Sequence, residues 1–242
     1  MFLSCAPEVP DHRLRVQVVA AGPVVDAQVL LWWVDGSGHP LTRDGRRARQ
    51  AELSSGNALA QGCTDQQGAV ELAAGPAYGL IVLGAHGGRT RDPWIEPGSD
   101  GGSDGRAPYT ACGAPPGGPD GGGGEIDDPS EIPVDIELRS VLLDHVPGPA
   151  SRDVVISPLT TLAAAIGERR LVHPFEGETY YMAMVQAHTM LDEHFGGPGD
   201  PSDATPGDDI DITRGPIPTG ADQPLPGLGP AARHVLALQG LA

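Results

Sequence analysis

The chain has no lysine, a single asparagine (Asn57), three cysteines and only 4% aromatic residues. Its 15 basic residues are all arginine, and 32 acidic residues bring the formal charge to −17. The densest basic patch, Arg46, Arg47 and Arg49, is flanked by Asp44 and Glu52. A phosphate backbone or an anionic membrane surface meets net repulsion, so neither nucleic acid nor lipid headgroups are expected as partners. No run approaches the roughly 18 apolar residues that would mark a membrane-spanning helix. The scarcity of large rings leaves aliphatic side chains to fill the core. The lack of lysine fits a GC-rich coding bias and carries no functional weight. What abounds is glycine (35) and proline (25), about a quarter of the chain and near the level of low-complexity sequence. The length of 242 residues suits one large domain or two small ones.

The opening, Met1-Phe2-Leu3-Ser4-Cys5-Ala6-Pro7, resembles the tail of a bacterial lipoprotein signal, in which that cysteine becomes lipid-modified. The charged and apolar regions of a full signal are missing, which fits a start codon placed too far downstream. The resemblance implies a signal remnant and tether over 1–11, with Cys5 as the lipidation site and sole membrane attachment. It also implies an extracytoplasmic location, at the bacterial outer membrane or cell surface. With Cys5 set aside, Cys63 and Cys112 form an even remainder, and in an exported protein that points to a disulfide. A zinc site would need more thiol or imidazole ligands at short spacing, and there is no C-x-x-C.

Residues 14–88 read as short strands and turns. Leu14, Val16 and Val18 alternate with Arg15 and Gln17, and Val29, Leu31 and Trp33 share one face of a second strand. Thr64-Asp65-Gln66-Gln67-Gly68 is a turn before a strand at Ala69–Leu72, and Gly79–Gly84 suits a strand buried on both faces. Residues 96–130 are rich in glycine, proline, serine and aspartate, and read as a disordered insertion that buries too little to offset its ordering entropy. Ile132, Val134, Ile136 and Leu138 then alternate as a strand, followed by strand-like Leu142-Leu143 and Val154–Ile156. Ser157-Pro158 opens a helix with Leu159, Leu162, Ala163 and Ile166 on one face. A longer helix is expected over 178–194, with Tyr181, Met184, Val185, His188, Leu191 and Phe195 as its stripe. An acidic Pro/Gly loop at 198–229 precedes a last helix from Pro230 carrying Val235, Leu236, Leu238 and Leu241.

Three elements resemble the transthyretin-like β-sandwich of carboxypeptidase regulatory-like modules. They are Gly22-Pro23-Val24-Val25-Asp26-Ala27-Gln28-Val29, Thr64-Asp65-Gln66-Gln67-Gly68-Ala69-Val70-Glu71-Leu72 read as a hairpin, and Tyr78-Gly79-Leu80-Ile81-Val82. Val155-Ile156-Ser157-Pro158-Leu159-Thr160-Thr161-Leu162-Ala163 is similar to a junction in uncharacterised bacterial secreted lipoproteins that carry such a sandwich. The resemblance covers about residues 12–165 and implies a non-catalytic exported scaffold.

Patterns that look like chemistry have plainer explanations. Gly101-Gly102-Ser103-Asp104-Gly105 matches a nucleophile elbow, but its flanks are glycine and aspartate rather than a strand and a helix. Gly227-Leu228-Gly229-Pro230-Ala231-Ala232 matches a dinucleotide fingerprint with no preceding strand, and Pro230 removes an amide. His188, Asp192 and His194 are weak metal candidates. His188 and Asp192 sit one helical turn apart, His194 points elsewhere, and a buried stripe edge explains His188 as well. The aspartates at 100, 104, 120, 127 and 128, and at 200, 203, 208, 209 and 211, offer oxygen ligands for weak calcium binding. Neither group has an EF-hand frame, and solvated loops are the expected reading. No cofactor and no resident metal are expected. Adjacent Trp32 and Trp33 face opposite sides of a strand, one toward the core and the other open to a sugar, a protein surface or the helical half.

The expected architecture is α+β: an antiparallel β-sandwich of transthyretin/Ig-like type over 12–156, then a helical region over 157–242. The expected role is a non-catalytic cell-surface lipoprotein acting as a structural or binding module, with a surface protein or glycan as partner. The alternative is an accessory region of a larger exported hydrolase whose catalytic domain lies outside this chain.

Overall fold

In the computed structural model the described residues are 12–20, 22–42, 45–47, 58–75, 79–91, 107–113, 124–126, 128, 130–134, 136–145, 152–172, 174 and 177–196. Two sheets form from the alternating segments. The smaller holds β1 (Arg13–Val18) between β5 (Ala69–Ala73) and β12 (Arg152–Ile156). The larger runs β11 (Leu138–His145), β6 (Gly79–His86), β2 (Gln28–Val34), with β3 (Pro40–Leu41) and β4 (Ala60–Cys63) sharing the far edge of β2. Two ribbons stand apart: β7 (Arg89–Arg91) with β10 (Glu131–Pro133), and β8 (Ala107–Tyr109) with β9 (Gly124–Ile126). The α+β class holds, with mostly antiparallel strands and two helices among the described residues. The strands are not all antiparallel as expected, because β1 and β12 run parallel with Val16 opposite Val154.

The sheets share one aliphatic core. Leu14, Val16, Val18, Leu72, Val154 and Ile156 from the smaller sheet meet Val29, Leu31, Ile81, Leu83, Leu138 and Leu142 from the larger. Burying each such side chain is worth about 1.5–3 kcal/mol, so aliphatic volume replaces the missing rings. The other face of the larger sheet is apolar as well. Val34, Leu80, Val82, Val141 and Leu143 pack against α1 (Pro158–Val172) and α2 (Tyr180–Gly196). The helices therefore add a third layer to the same fold.

Both helices are rotated relative to the expected stripes. On α1 the buried residues are Leu159, Thr160, Ala163, Ala164 and Gly167, while Leu162 and Ile166 are only half-buried. On α2 Tyr180, Ala183, Met184, Ala187, His188 and Leu191 are buried and Tyr181 is exposed. Small residues turn inward because the helices approach closely: a Cβ on Gly167 would lie 2.5 Å from Met184 Sδ. Leucine spacing alone does not reveal this choice of close backbone approach.

The Ser157-Pro158 start of α1 is a reciprocal cap. Thr160 N–H donates to Ser157 Oγ (3.3 Å) and Ser157 N–H donates to Thr160 Oγ1 (2.8 Å). The same threonines serve the edge strand β11: Arg139 N–H donates to Thr161 Oγ1 (2.8 Å), and Thr160 Oγ1 donates to the Arg139 carbonyl (2.7 Å). The outward-facing backbone groups of Arg139 on this sheet edge are thereby satisfied by helix hydroxyls.

Two further expectations are revised. The alternation at 132–138 is not one strand: Ile132 and Ile136 are exposed, and only Val134 and Leu138 are buried. Pro133 has no N–H to extend a ladder, so β10 ends there and β11 begins at Leu138 on a different partner. Within 96–130, expected as disordered, the paired strands β8 and β9 and Cys112 are described. The 198–229 loop and the helix expected from Pro230 lie outside the described residues.

The turn at 64–68 carries the chain from one sheet to the other, since β4 pairs with β2 and β5 with β1; it is not a hairpin within one ladder. Asp65 Oδ1 accepts the N–H groups of Gln67 and Ala69, both at 2.9 Å. Buried Thr64 receives Ala27 N–H (2.8 Å) and donates to the Val24 carbonyl (2.7 Å), locking the crossing to the turn before β2. Gly68 takes φ +72°, and a Cβ there would meet Val18 O at 2.8 Å and Val24 N at 3.0 Å. Gly75 has nearly the same φ, +75°, in open space. Gly68→Ala is expected to cost about 2–4 kcal/mol and Gly75→Ala about 1 kcal/mol, read by urea unfolding with the disulfide intact. Equal losses would mean that φ alone sets the cost at position 68.

Candidate functional site

Among the described residues the densest polar constellation lies at one end of the sandwich, where β7, β8 and β10 meet the turn before β2. Asp26 occupies that turn with φ 58°, a left-handed conformation that aspartate tolerates better than most residues. Its backbone N–H donates to the Thr64 carbonyl (3.3 Å), and its carbonyl accepts Cys112 N–H (2.8 Å). Its carboxylate accepts the Tyr109 hydroxyl at 2.9 Å and lies 3.6 Å from Arg89 Nε. Arg89 Nη1 donates to Glu131 Oε2 at 2.6 Å, and its guanidinium stands 5.6 Å from the Tyr109 ring centroid. The bridge between Val25 and Arg89 and the pairing of β7 with β10 set these positions.

The electrostatics are self-compensating. Burial works against the Arg89 charge, but Glu131, Tyr109 and Asp26 outweigh it and hold its pKa above the ordinary value. Burial, then donation to Asp26, pushes the Tyr109 phenol above its usual 10.0. The tyrosine proton is engaged by Asp26 and Arg89 Nη1 by Glu131, while buried Arg89 Nε makes no hydrogen bond and only faces the Asp26 carboxylate. One cation between two carboxylates is a clamp that fastens β8 and β10 to the sandwich.

Cys63 and Cys112 form a disulfide beside this clamp, with Cα atoms 5.6 Å apart. Cys63 ends β4 opposite Gln28 in β2, and Cys112 lies in the turn after β8. The bridge spans a sequence separation of 49, worth about 4 kcal/mol in the chain-entropy model.

The other candidates are dispersed. Cys5, the glycine-rich matches at 101–105 and 227–232, and the aspartates at 100, 104, 120, 127, 200, 203, 208, 209 and 211 lie outside the described residues. Asp128 is spent on a turn, where Oδ1 accepts Ser130 N–H (2.8 Å) and the Ser130 hydroxyl (2.6 Å). His188 is buried on the α2 face that carries Met184 and Leu191. Asp192 and His194 belong to α2, but their side chains lie outside the described residues. Among the described residues no group of three or more His, Cys, Asp or Glu side chains is placed to hold a metal ion. No described helix is long and apolar enough to cross a membrane. Trp32 is 4% exposed beside Leu30 and Ala58, and Trp33 is half-buried against the sandwich core.

Asp26, Arg89, Tyr109 and Glu131 escape sequence reading because they are far apart in the chain. One signal was present: pairing Cys63 with Cys112 brings Tyr109, three residues before Cys112, to the strand that β4 borders. No family model matches the chain, and no curated protein or solved structure matches it.

The clamp makes two predictions. A double-mutant cycle of Asp26→Asn with Tyr109→Phe should give a coupling of about 1 kcal/mol, and additive losses would show the hydrogen bond to be inert. Because the Tyr109 phenol is raised in the folded state, its stabilisation is complete below the unfolded phenol value, near 10.0. It is lost as pH rises through the folded value. The stability of the native chain should therefore fall more steeply above pH 10 than that of Tyr109→Phe, as measured by urea midpoints.

Proposed function

We propose that this chain is a non-catalytic extracytoplasmic protein, lipid-anchored at Cys5 to the bacterial outer membrane or cell surface. It presents a transthyretin-like sandwich as a structural or binding module. The Cys63–Cys112 disulfide carries the reading, because such bridges persist in oxidising compartments and are rare in the cytosol. The Leu3-Ser4-Cys5 pattern supplies the anchor, and the charge of −17 keeps the exposed body soluble and away from nucleic acid.

Two further observations support the module and its role. The elements that resemble carboxypeptidase regulatory-like modules, Gly22–Val29 and Thr64–Leu72, interlock through Thr64. The polar cluster around Asp26 spends its groups on holding strands together, which suits a scaffold whose partner is a surface protein or glycan.

Intact mass spectrometry of the chain recovered from a membrane fraction tests the reading. The expected species begins at a diacylglyceryl-modified Cys5 and lacks the thiol hydrogens of Cys63 and Cys112, while Cys5→Ser shifts the chain to the soluble fraction. An unmodified Cys5 would overturn the anchor. Free thiols at Cys63 and Cys112 would overturn the location.

A further inference from the structure

The β8–β9 ribbon lies against β10 with Ile126 buried, and the hydrogen bonds described between it and the sandwich converge on two turns. At the turn before β2, Tyr109 and Cys112 donate to the Asp26 side chain and carbonyl at 2.9 and 2.8 Å. At the turn between β6 and β7, Gly88 N–H donates to the Thr110 carbonyl at 2.8 Å. Arg89 stands over the Tyr109 ring, and that ring lies against Gly124 of β9, where a Cβ would overlap it. The ribbon's own strands pair only with each other. Its one disulfide, to Cys63, is also the only one among the described residues.

The bridge sits where a reductant can reach it. Cys63 is exposed at the end of an edge strand, and Cys112 is half-buried. Core side chains do not shield it, since the aliphatic cluster between the sheets contains neither cysteine. Exposed disulfides are the labile ones. Hydrogen bonds contribute about 1 kcal/mol each net, so the few that remain after reduction hold the ribbon far less firmly.

We propose that Cys63–Cys112 is a redox-sensitive clasp whose opening by a dithiol releases the 107–113 segment from Asp26 and Gly88 while the sandwich stays folded. A thiolate of the dithiol attacks Cys63 Sγ, the S–S bond breaks, and Cys112 leaves as a thiolate that takes a proton from water. The second thiol then attacks the dithiol's own sulfur in the mixed disulfide, freeing Cys63. The dithiol is oxidised to its disulfide as the cystine gains two electrons and two protons. What the release uncovers is the Tyr109 ring, 9% exposed when clasped, and it frees the already part-exposed Asp26 carboxylate from the Tyr109 hydroxyl. The proposal rests on the bridge and its surroundings, and holds whether or not Cys5 carries a lipid.

Amide exchange on purified oxidised protein, with and without dithiothreitol, tests this directly. Gly88 and Cys112 report the clasp, because their N–H groups bond across it. Val18 and Val19 report the sandwich through their bonds to Gly68 and Ile156. Reduction is expected to speed exchange at the reporter amides by about tenfold or more and leave the sandwich amides unchanged. The double variant Cys63→Ser/Cys112→Ser should behave like the reduced protein. Unchanged protection at Gly88 and Cys112 once both thiols are alkylated would overturn the proposal. So would reduction that proceeds only as Val18 and Val19 exchange, because the bridge would then open only through global unfolding.

Discussion

The larger sheet has to be covered on both faces, and most of the architecture follows from that. Strand β2 buries Val29 and Leu31 toward the smaller sheet and Leu30, Trp32 and Val34 on the opposite side. Strand β6 does the same with Ile81 and Leu83 on one face and Leu80 and Val82 on the other. A one-sided sandwich would leave the second set in water, at about 25 cal/mol per Å² of apolar surface. The smaller sheet covers the first face and the helix pair much of the second. The helices can lie flat against it because Ala163, Ala164, Gly167, Ala183 and Ala187 let them approach each other closely. Tyr180, buried at the start of α2, sits over Gly38 in the turn after β2 and ties the helical layer to the sheet's edge.

Covering both faces leaves the ends and edges to polar groups. At the β11 edge the backbone of Arg139 is satisfied by Thr160 and Thr161, and its side chain joins Glu137 and Glu168 in an exposed ion-pair set. Such exposed pairs are worth little individually, so the threonine bonds matter more than the charges. At the open end of the sandwich, Asp26, Arg89, Tyr109 and Glu131 close the gap. An acidic chain can build a half-buried clamp this way because Arg89 neutralises part of the charge that two carboxylates would otherwise bring together.

How much of this was legible depended on whether period alone decided the outcome. The faces of β1 and β2 followed from alternation, since a period of 2 leaves only one way to hide valine and leucine, and the both-sides burial of β6 followed from its continuous apolar run. The Cys63–Cys112 pairing followed from parity and context. The helix faces followed only in part: Leu159, Ala163, Met184, His188 and Leu191 are buried as expected, but the large residues at 162 and 166 compete with small ones at 164 and 167. Backbone approach decided that competition. The strand at 132–138 failed at Pro133, whose missing N–H outweighs an otherwise regular alternation. The polar clamp was out of reach because no local pattern links Asp26 to Arg89, Tyr109 and Glu131; only the fold does.

The residues compared in sequence with carboxypeptidase regulatory-like modules have mechanical duties in this fold. Thr64 and Asp65 form the crossing between sheets, Gly68 takes a conformation that a side chain would obstruct, and Ser157, Thr160 and Thr161 join α1 to the β11 edge. Each solves a problem that a two-sheet fold with a crossing strand and an attached helix must solve. Residues at such joints speak to architecture alone, and two proteins can share all of them while binding nothing in common. Features that distinguish this chain must be sought where it is not obliged to be regular. Among the described residues that place is the disulfide-held ribbon over Asp26, whose sequence no packing rule of the sandwich dictates and whose attachment depends on a bond that its surroundings can break.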